Sequence, residues 1–149
     1  MLWERTVMEW KTVTDDPNVS LHDHLITTIE ANENIILHFQ NGFDVTKCNP
    51  VNLTGRHMHT GKAAVILHNA VLLEGTKYLN DNSEKKLTVD DFSEVDFEVL
   101  SFSYEGETVE LCGDAFDDSV FCKLLFKVSG VEFCWNEFIE EAWFQRDEN

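Results

Sequence analysis

The residues of this 149-residue chain best suited to chemistry are its histidines, four of which form two His-x-His pairs, His22-Asp23-His24 and His57-Met58-His59. In an extended strand, residues i and i+2 leave the backbone on the same face, so each pair would offer two imidazoles to one ion. Zinc takes nitrogen, sulfur and carboxylate ligands in a tetrahedron, and Asp23 or Cys48 would extend the set. His22, His24, His57 and His59 are therefore the metal-site alternative. Against it, neither pair has the spacing of a known metalloenzyme motif, and so short a pattern arises by chance in a chain with six histidines. The expectation is that the chain carries no cofactor and that these histidines are exposed or singly hydrogen-bonded.

Other chemistry is weaker still. Carboxylates cluster at Asp15-Asp16, Asp90-Asp91, Asp114 with Asp117-Asp118, and Glu140-Glu141. Paired carboxylates do acid–base work when one of them is held protonated, but these flank turns, where solvated acids belong. The chain has no Asp-x-Asp-x-Asp-Gly calcium loop, no Gly-x-Ser-x-Gly elbow and no phosphate-binding loop. Cys112, Cys122 and Cys134 lie inside strand-like runs and are expected to pack as small hydrophobes. No residue is assigned a catalytic role, and binding is the favoured reading over catalysis.

Charge points to a partner. Twenty-eight Asp and Glu face eleven Lys and Arg, a formal net charge of -17. Such a chain is repelled by nucleic acid and by anionic membranes and speeds encounter with basic proteins. The stretch from Asp90 to Asp118 holds eleven acids and no Lys or Arg. The residues expected to meet a basic protein are Asp114, Asp117, Asp118, Glu140 and Glu141. The only run of basic character is Arg56 to Lys62, too little for a nucleic-acid site in so acidic a chain. The first ten residues lack a signal-peptide pattern, and no apolar run approaches the roughly 20 residues of a membrane span. A cytoplasmic location with reduced cysteines is expected.

The elements that would position these groups read as strands. Short apolar runs alternate with turn signals, which predicts one domain over residues 1–149. Its class is mainly β, with α+β the alternative: an antiparallel sandwich or partly open barrel of seven to ten strands. Ala31 to Asn34 turns one run into Ile35 to Phe39, and Asn41-Gly42 signals a tight hairpin into Phe43-Asp44-Val45. Ala63 to Leu73 suits a strand buried on both faces. The long polar segment from Gly75 to Glu94 has room for a short helix near Val89 to Phe92. Glu105-Gly106 and Ser129-Gly130 signal two further hairpins. At the end the period changes: Trp135, Phe138, Ile139, Ala142 and Trp143 fall at i, i+3, i+4, i+7 and i+8, one face of a helix. This predicts an amphipathic helix over Asn136 to Gln145, with Trp135, Phe138 and Trp143 packed near Phe97, Val99 or Phe126.

The segments Leu21-His22-Asp23-His24-Leu25-Ile26, Ile35-Ile36-Leu37-His38-Phe39 and Gly42-Phe43 resemble the opening hairpins of small, acidic, β-rich bacterial proteins, some of immunity-protein type. The resemblance implies a non-enzymatic inhibitor that neutralises a basic toxin or nuclease, and no site residue is carried over from it. The alternatives are a small-ligand- or metal-binding β-barrel, with or without enzymatic activity, and an oligomeric structural or regulatory module.

Overall fold

The computed structural model describes residues 10–92, 94–115 and 120–144. Their fourteen strands are β1 (Thr12–Thr14), β2 (Val19–Ser20), β3 (Leu25–Ala31), β4 (Ile35–Phe39), β5 (Asp44–Val45), β6 (Met58–Thr60), β7 (Ala63–His68), β8 (Val71–Tyr78), β9 (Glu84–Lys86), β10 (Glu94–Glu105), β11 (Thr108–Ala115), β12 (Val120–Lys127), β13 (Gly130–Trp135) and β14 (Phe138–Glu141). Ten form a sheet in the order β1-β13-β7-β4-β3-β10-β11-β12-β8-β9, and four form a second in the order β14-β6-β5-β2. Every pairing is antiparallel. The class is mainly β, as the turn spacing predicts, with more strands than the seven to ten expected.

Alternation builds the core. In β12, Val120, Cys122, Leu124 and Phe126 are buried, while the residues between them are wholly or partly exposed, the two-residue period of a half-buried strand. The large sheet curls on this inner face. Phe102 of β10 and Phe133 of β13 have ring centroids 6.0 Å apart, although four strand spacings separate them in sheet order, about 19 Å if flat. Among the described residues β1 and β9 are the edges of the large sheet and do not pair with each other, so the curl does not close into a barrel. β7 is buried on both faces, as its composition suggests. Ala63, Val65 and Leu67 join the main core, while Ala64 and Ile66 pack with Ile36 and Cys134 beneath Trp10. Burial first, and then Glu132, push the Cys134 thiol up to about 12, so it packs as a protonated hydrophobe.

The curl has a definite corner. β7 pairs with β13 and β8 with β12, and the pairs His68↔Gly130 and Val71↔Lys127 keep one register across the bend, each chain advancing three residues. Segments 63–78 and 120–135 thus form one bent two-stranded ribbon. Asn69, at φ 50, turns the first chain, and its side chain donates to Ser129 Oγ (2.9 Å) on the second. This corrects two expectations. Ala63 to Leu73 is split between two strands, and Ser129-Gly130 is a corner, because β12 and β13 do not pair with each other. Asn41-Gly42 likewise turns without closing a hairpin: the Gly42 N–H bonds the Phe39 carbonyl (3.0 Å), and the chain passes from β4 in the large sheet to β5 in the small one. The Glu105-Gly106 hairpin is found where expected, between β10 and β11. A single 3-10 turn at Val89–Asp91 occupies the predicted short-helix position.

Among the described residues the predicted C-terminal amphipathic helix is not found, and 138–141 is a strand instead. β13 runs through Trp135, the chain bends at Asn136-Glu137, and β14 adds to the edge of β6. An isolated helix of ten residues is marginal in water, whereas β6 offers a ready row of ladder hydrogen bonds. Trp135 is in the core and Phe138 stacks on it, with centroids 5.8 Å apart. Trp143 is 56% exposed and is not a core residue. Among the described residues, no helix is long and apolar enough to cross a membrane.

Candidate functional site

The small sheet sits against the large one through Phe43, whose ring meets Phe39, Phe133 and Trp135 edge-on. One rung crosses all four of its strands: Ser20 pairs with Asp44, Asp44 with His59, and His59 with Glu140. His24, just ahead of β3, reaches this rung from the large sheet. Its Nε2 lies 2.9 Å from Asp44 Oδ2, and His59 Nδ1 lies 2.8 Å from Asp44 Oδ1. Asp44 is only 2% exposed, and the His24 and His59 side chains are 16% and 17% exposed. The far side of His59 is also held: Nε2 donates to the Asn41 carbonyl (2.7 Å). Ligand atoms of His24, Asp44 and His59 all lie within 4.8 Å of one another, the only such cluster among the described residues.

The two His-x-His pairs therefore contribute one histidine each, and the reason is backbone conformation. Asp23 has φ 68, so His22-Asp23-His24 is a turn and its imidazoles do not share a face. His22 is exposed and pairs with Asp23 (3.1 Å). His57 precedes β6, accepts the Lys47 N–H at Nδ1 (3.1 Å) and lies against the Phe144 ring at 4.8 Å. His22 and His57 are thus not ligands of a common ion, and neither Asp23 nor exposed Cys48 joins the cluster. The sequence reading missed Asp44 and the Asn41 carbonyl. Asp44 sits in a short alternating run that reads as polar side out, yet all of Phe43, Asp44 and Val45 are buried.

The loop beside the cluster is held by two buried asparagines. The Asn52 amide donates to the carbonyls of Val45, Thr46 and Arg56, while Asn49 caps Val51 (3.0 Å). The basic run of the sequence starts in this loop, and its Arg56 is tied to Glu141 by an ion pair (3.1 Å).

The residues expected to meet a partner are divided. Asp117 and Asp118 lie outside the described residues. Glu141 is engaged by Arg56, and Glu140 is exposed on the small sheet. Asp114 lies on β11 of the large sheet, directly opposite Glu98 of β10. Asp96 and Glu105 are also exposed on β10. Glu110 is paired with Lys123 (3.5 Å), whose pKa it raises through its charge. Five of the eleven cations, Lys77, Lys85, Lys86, Lys123 and Lys127, lie together on β8, β9 and β12. The sheet is therefore electrically graded, acidic along β10–β11 and basic toward the β9 edge. No protein-family description, curated protein or solved structure matches this chain.

Proposed function

We propose that the chain is a non-enzymatic binding protein that takes a basic protein partner against the acidic β10–β11 strip, carried on a sheet curled as a partly open barrel, in the manner of an immunity protein neutralising a basic toxin or nuclease. The observation that carries this reading is the Glu98–Asp114 pair. Two carboxylates stand opposite each other on neighbouring strands with no ion pair to either among the described residues. Like charges in directly opposed positions destabilise a sheet, so the pair weakens the fold while adding to a one-sided negative field. Such a field orients a basic partner and raises its association rate, and the lysines toward β9 bias its orientation.

The test uses the protein that co-purifies from native cells. Its association rate should fall as salt rises, because exposed charges are screened beyond about 8 Å at physiological ionic strength. Replacing Glu98 by Gln and Asp114 by Asn together should slow association and, at the same time, raise stability by about 0.2–1 kcal/mol through relief of the opposed charges. The Asp114, Asp117 and Asp118 triple replacement by Asn should slow association further without unfolding the chain. A salt-independent rate, or an acidic partner, overturns the reading.

A further inference from the structure

We propose that His24, Asp44 and His59 form a binding site for a single divalent transition-metal ion, with zinc as the reference occupant. The argument starts at His59. Its Nε2 faces a backbone carbonyl at 2.7 Å, and a carbonyl only accepts, so this nitrogen carries a proton. In the neutral ring the opposite nitrogen, Nδ1, then presents a lone pair. That lone pair points at Asp44 Oδ1, 2.8 Å away, and the oxygen accepts as well. A cation must lie between them, either a second proton or a metal ion. The bond from His59 to the Asn41 carbonyl is the one that orients metal-binding imidazoles, which donate their other ring N–H to a carbonyl or carboxylate.

The rest of the cluster supplies the other donors. His24 Nε2 approaches the second oxygen of the same carboxylate, and the two imidazole rings lie 5.1 Å apart at a 38° tilt, each with one nitrogen on Asp44. Ligands at about 2.1 Å from one ion lie about 3.0–3.4 Å apart at right or tetrahedral angles. The two histidine–carboxylate separations of 2.8 and 2.9 Å, one to each oxygen of Asp44, would open by a few tenths of an ångström, and the three ligand atoms, which lie within 4.8 Å of one another, would draw together around the ion. Two imidazoles and one carboxylate suit zinc, iron, cobalt or nickel, and are a poor set for calcium or magnesium, which take oxygen ligands. Three protein ligands leave at least one coordination position, and the low exposure of all three residues fits water in it. The donors come from three places, the approach to β3 in the large sheet and β5 and β6 in the small sheet, so the ion would join the two sheets.

The full-length chain, stripped with EDTA, is titrated with Zn²⁺ by calorimetry, and Co²⁺ uptake is followed by its visible spectrum. One equivalent should bind saturably. His24→Gln and His59→Gln should each weaken binding tenfold or more, in line with the 10–100-fold cost of removing even an outer-shell partner, whereas His22→Gln with His57→Gln should leave it unchanged. Because a variant at the cluster can fail to fold, the wild-type chain is also read by ¹⁵N NMR of its histidine rings. Zn²⁺ should shift His24 and His59 and leave His22, His38, His57 and His68 in place. Absence of saturable binding, loss of binding in the His22/His57 variant, or shifts at the wrong rings overturns the site. In the first case a proton on His59 holds the cluster together.

Discussion

Trp135→Ala is expected to lower the unfolding free energy by about 3–5 kcal/mol, the usual range for truncating a large buried aromatic, whereas Trp143→Ala should cost less than about 1 kcal/mol. The two tryptophans lie eight residues apart at helix-like spacing, yet their surroundings differ completely. Trp135 is 1% exposed at the end of β13, stacked on Phe138 of β14 and met edge-on by Phe43 next to β5. It therefore joins the large sheet to the small one at two points, the β14 edge and the entry to β5, and truncation would leave a cavity at that junction. Trp143 is more than half exposed. Denaturant unfolding followed by far-ultraviolet circular dichroism measures both changes without relying on the fluorophore removed. Equal losses for the two variants would mean that the C-terminal segment packs as a helix after all.

Gly42→Ala should cost about 3 kcal/mol or more, and Gly55→Ala only about 1. Both glycines have positive φ, 82 and 76, and a left-handed residue with a Cβ carries a penalty of roughly 1–2 kcal/mol. What separates them is space. A Cβ on Gly42 would run into the carbonyl oxygens of Thr60 and Gly61 and the Thr60 hydroxyl, whereas a Cβ on Gly55 meets nothing within 4 Å. Overpacking against backbone adds about 1–3 kcal/mol. The close approach is where the chain crosses from β4 to β5, and it is fixed by the Phe43 N–H bonded to Thr60 Oγ1 (3.1 Å) and the Thr60 N–H bonded to the Phe43 carbonyl (2.9 Å). The same pair of variants also bears on the His59 environment, since Asn41 precedes Gly42. Chemical denaturation midpoints at unchanged m-value decide the comparison. Similar losses in the two variants would show that the crossover is looser than described.

These two contrasts show what the sequence makes legible. Burial on both faces is a local property and reads correctly over Ala63 to Leu67, although the predicted strand runs on to Leu73, where the chain has turned the corner into β8. The Glu105-Gly106 turn reads correctly because its two strands are neighbours in the chain. Ser129-Gly130 and Asn41-Gly42 carry the same local chemistry but join strands that do not pair, and turn composition holds no information about which edge a strand will find. The end of the chain fails for a related reason. The positions of Trp135, Phe138 and Ile139 satisfy a helical period, but Phe138 to Glu141 also fit a short strand, and the free edge of β6 settles the choice. At the histidine cluster, His24 and His59 were visible as members of pairs. Asp44 was not, because its role depends on a cross-strand register with His59 and on His24 arriving from another sheet. The positive φ of Asp23 breaks the face-sharing assumption at the first pair. The acidic strip was legible as composition, though the opposition of Glu98 to Asp114 required the β10–β11 register.

The bent ribbon has a consequence for synthesis. One edge each of β7 and β8 finds its partner only in 120–135, from Lys77 with Cys122 to Ala63 with Trp135, separations of 45 to 72 residues, while their other edges pair nearby with β4 and β9. On a ribosome adding about 5–20 residues per second, β7 and β8 therefore each wait several seconds with one edge open. Strand edges in that condition recruit other chains, and closing such long loops slows the search for native pairing. Nascent chains ending before residue 120 should be the species most dependent on chaperones. Refolding yield should fall steeply with concentration even where the finished fold is stable.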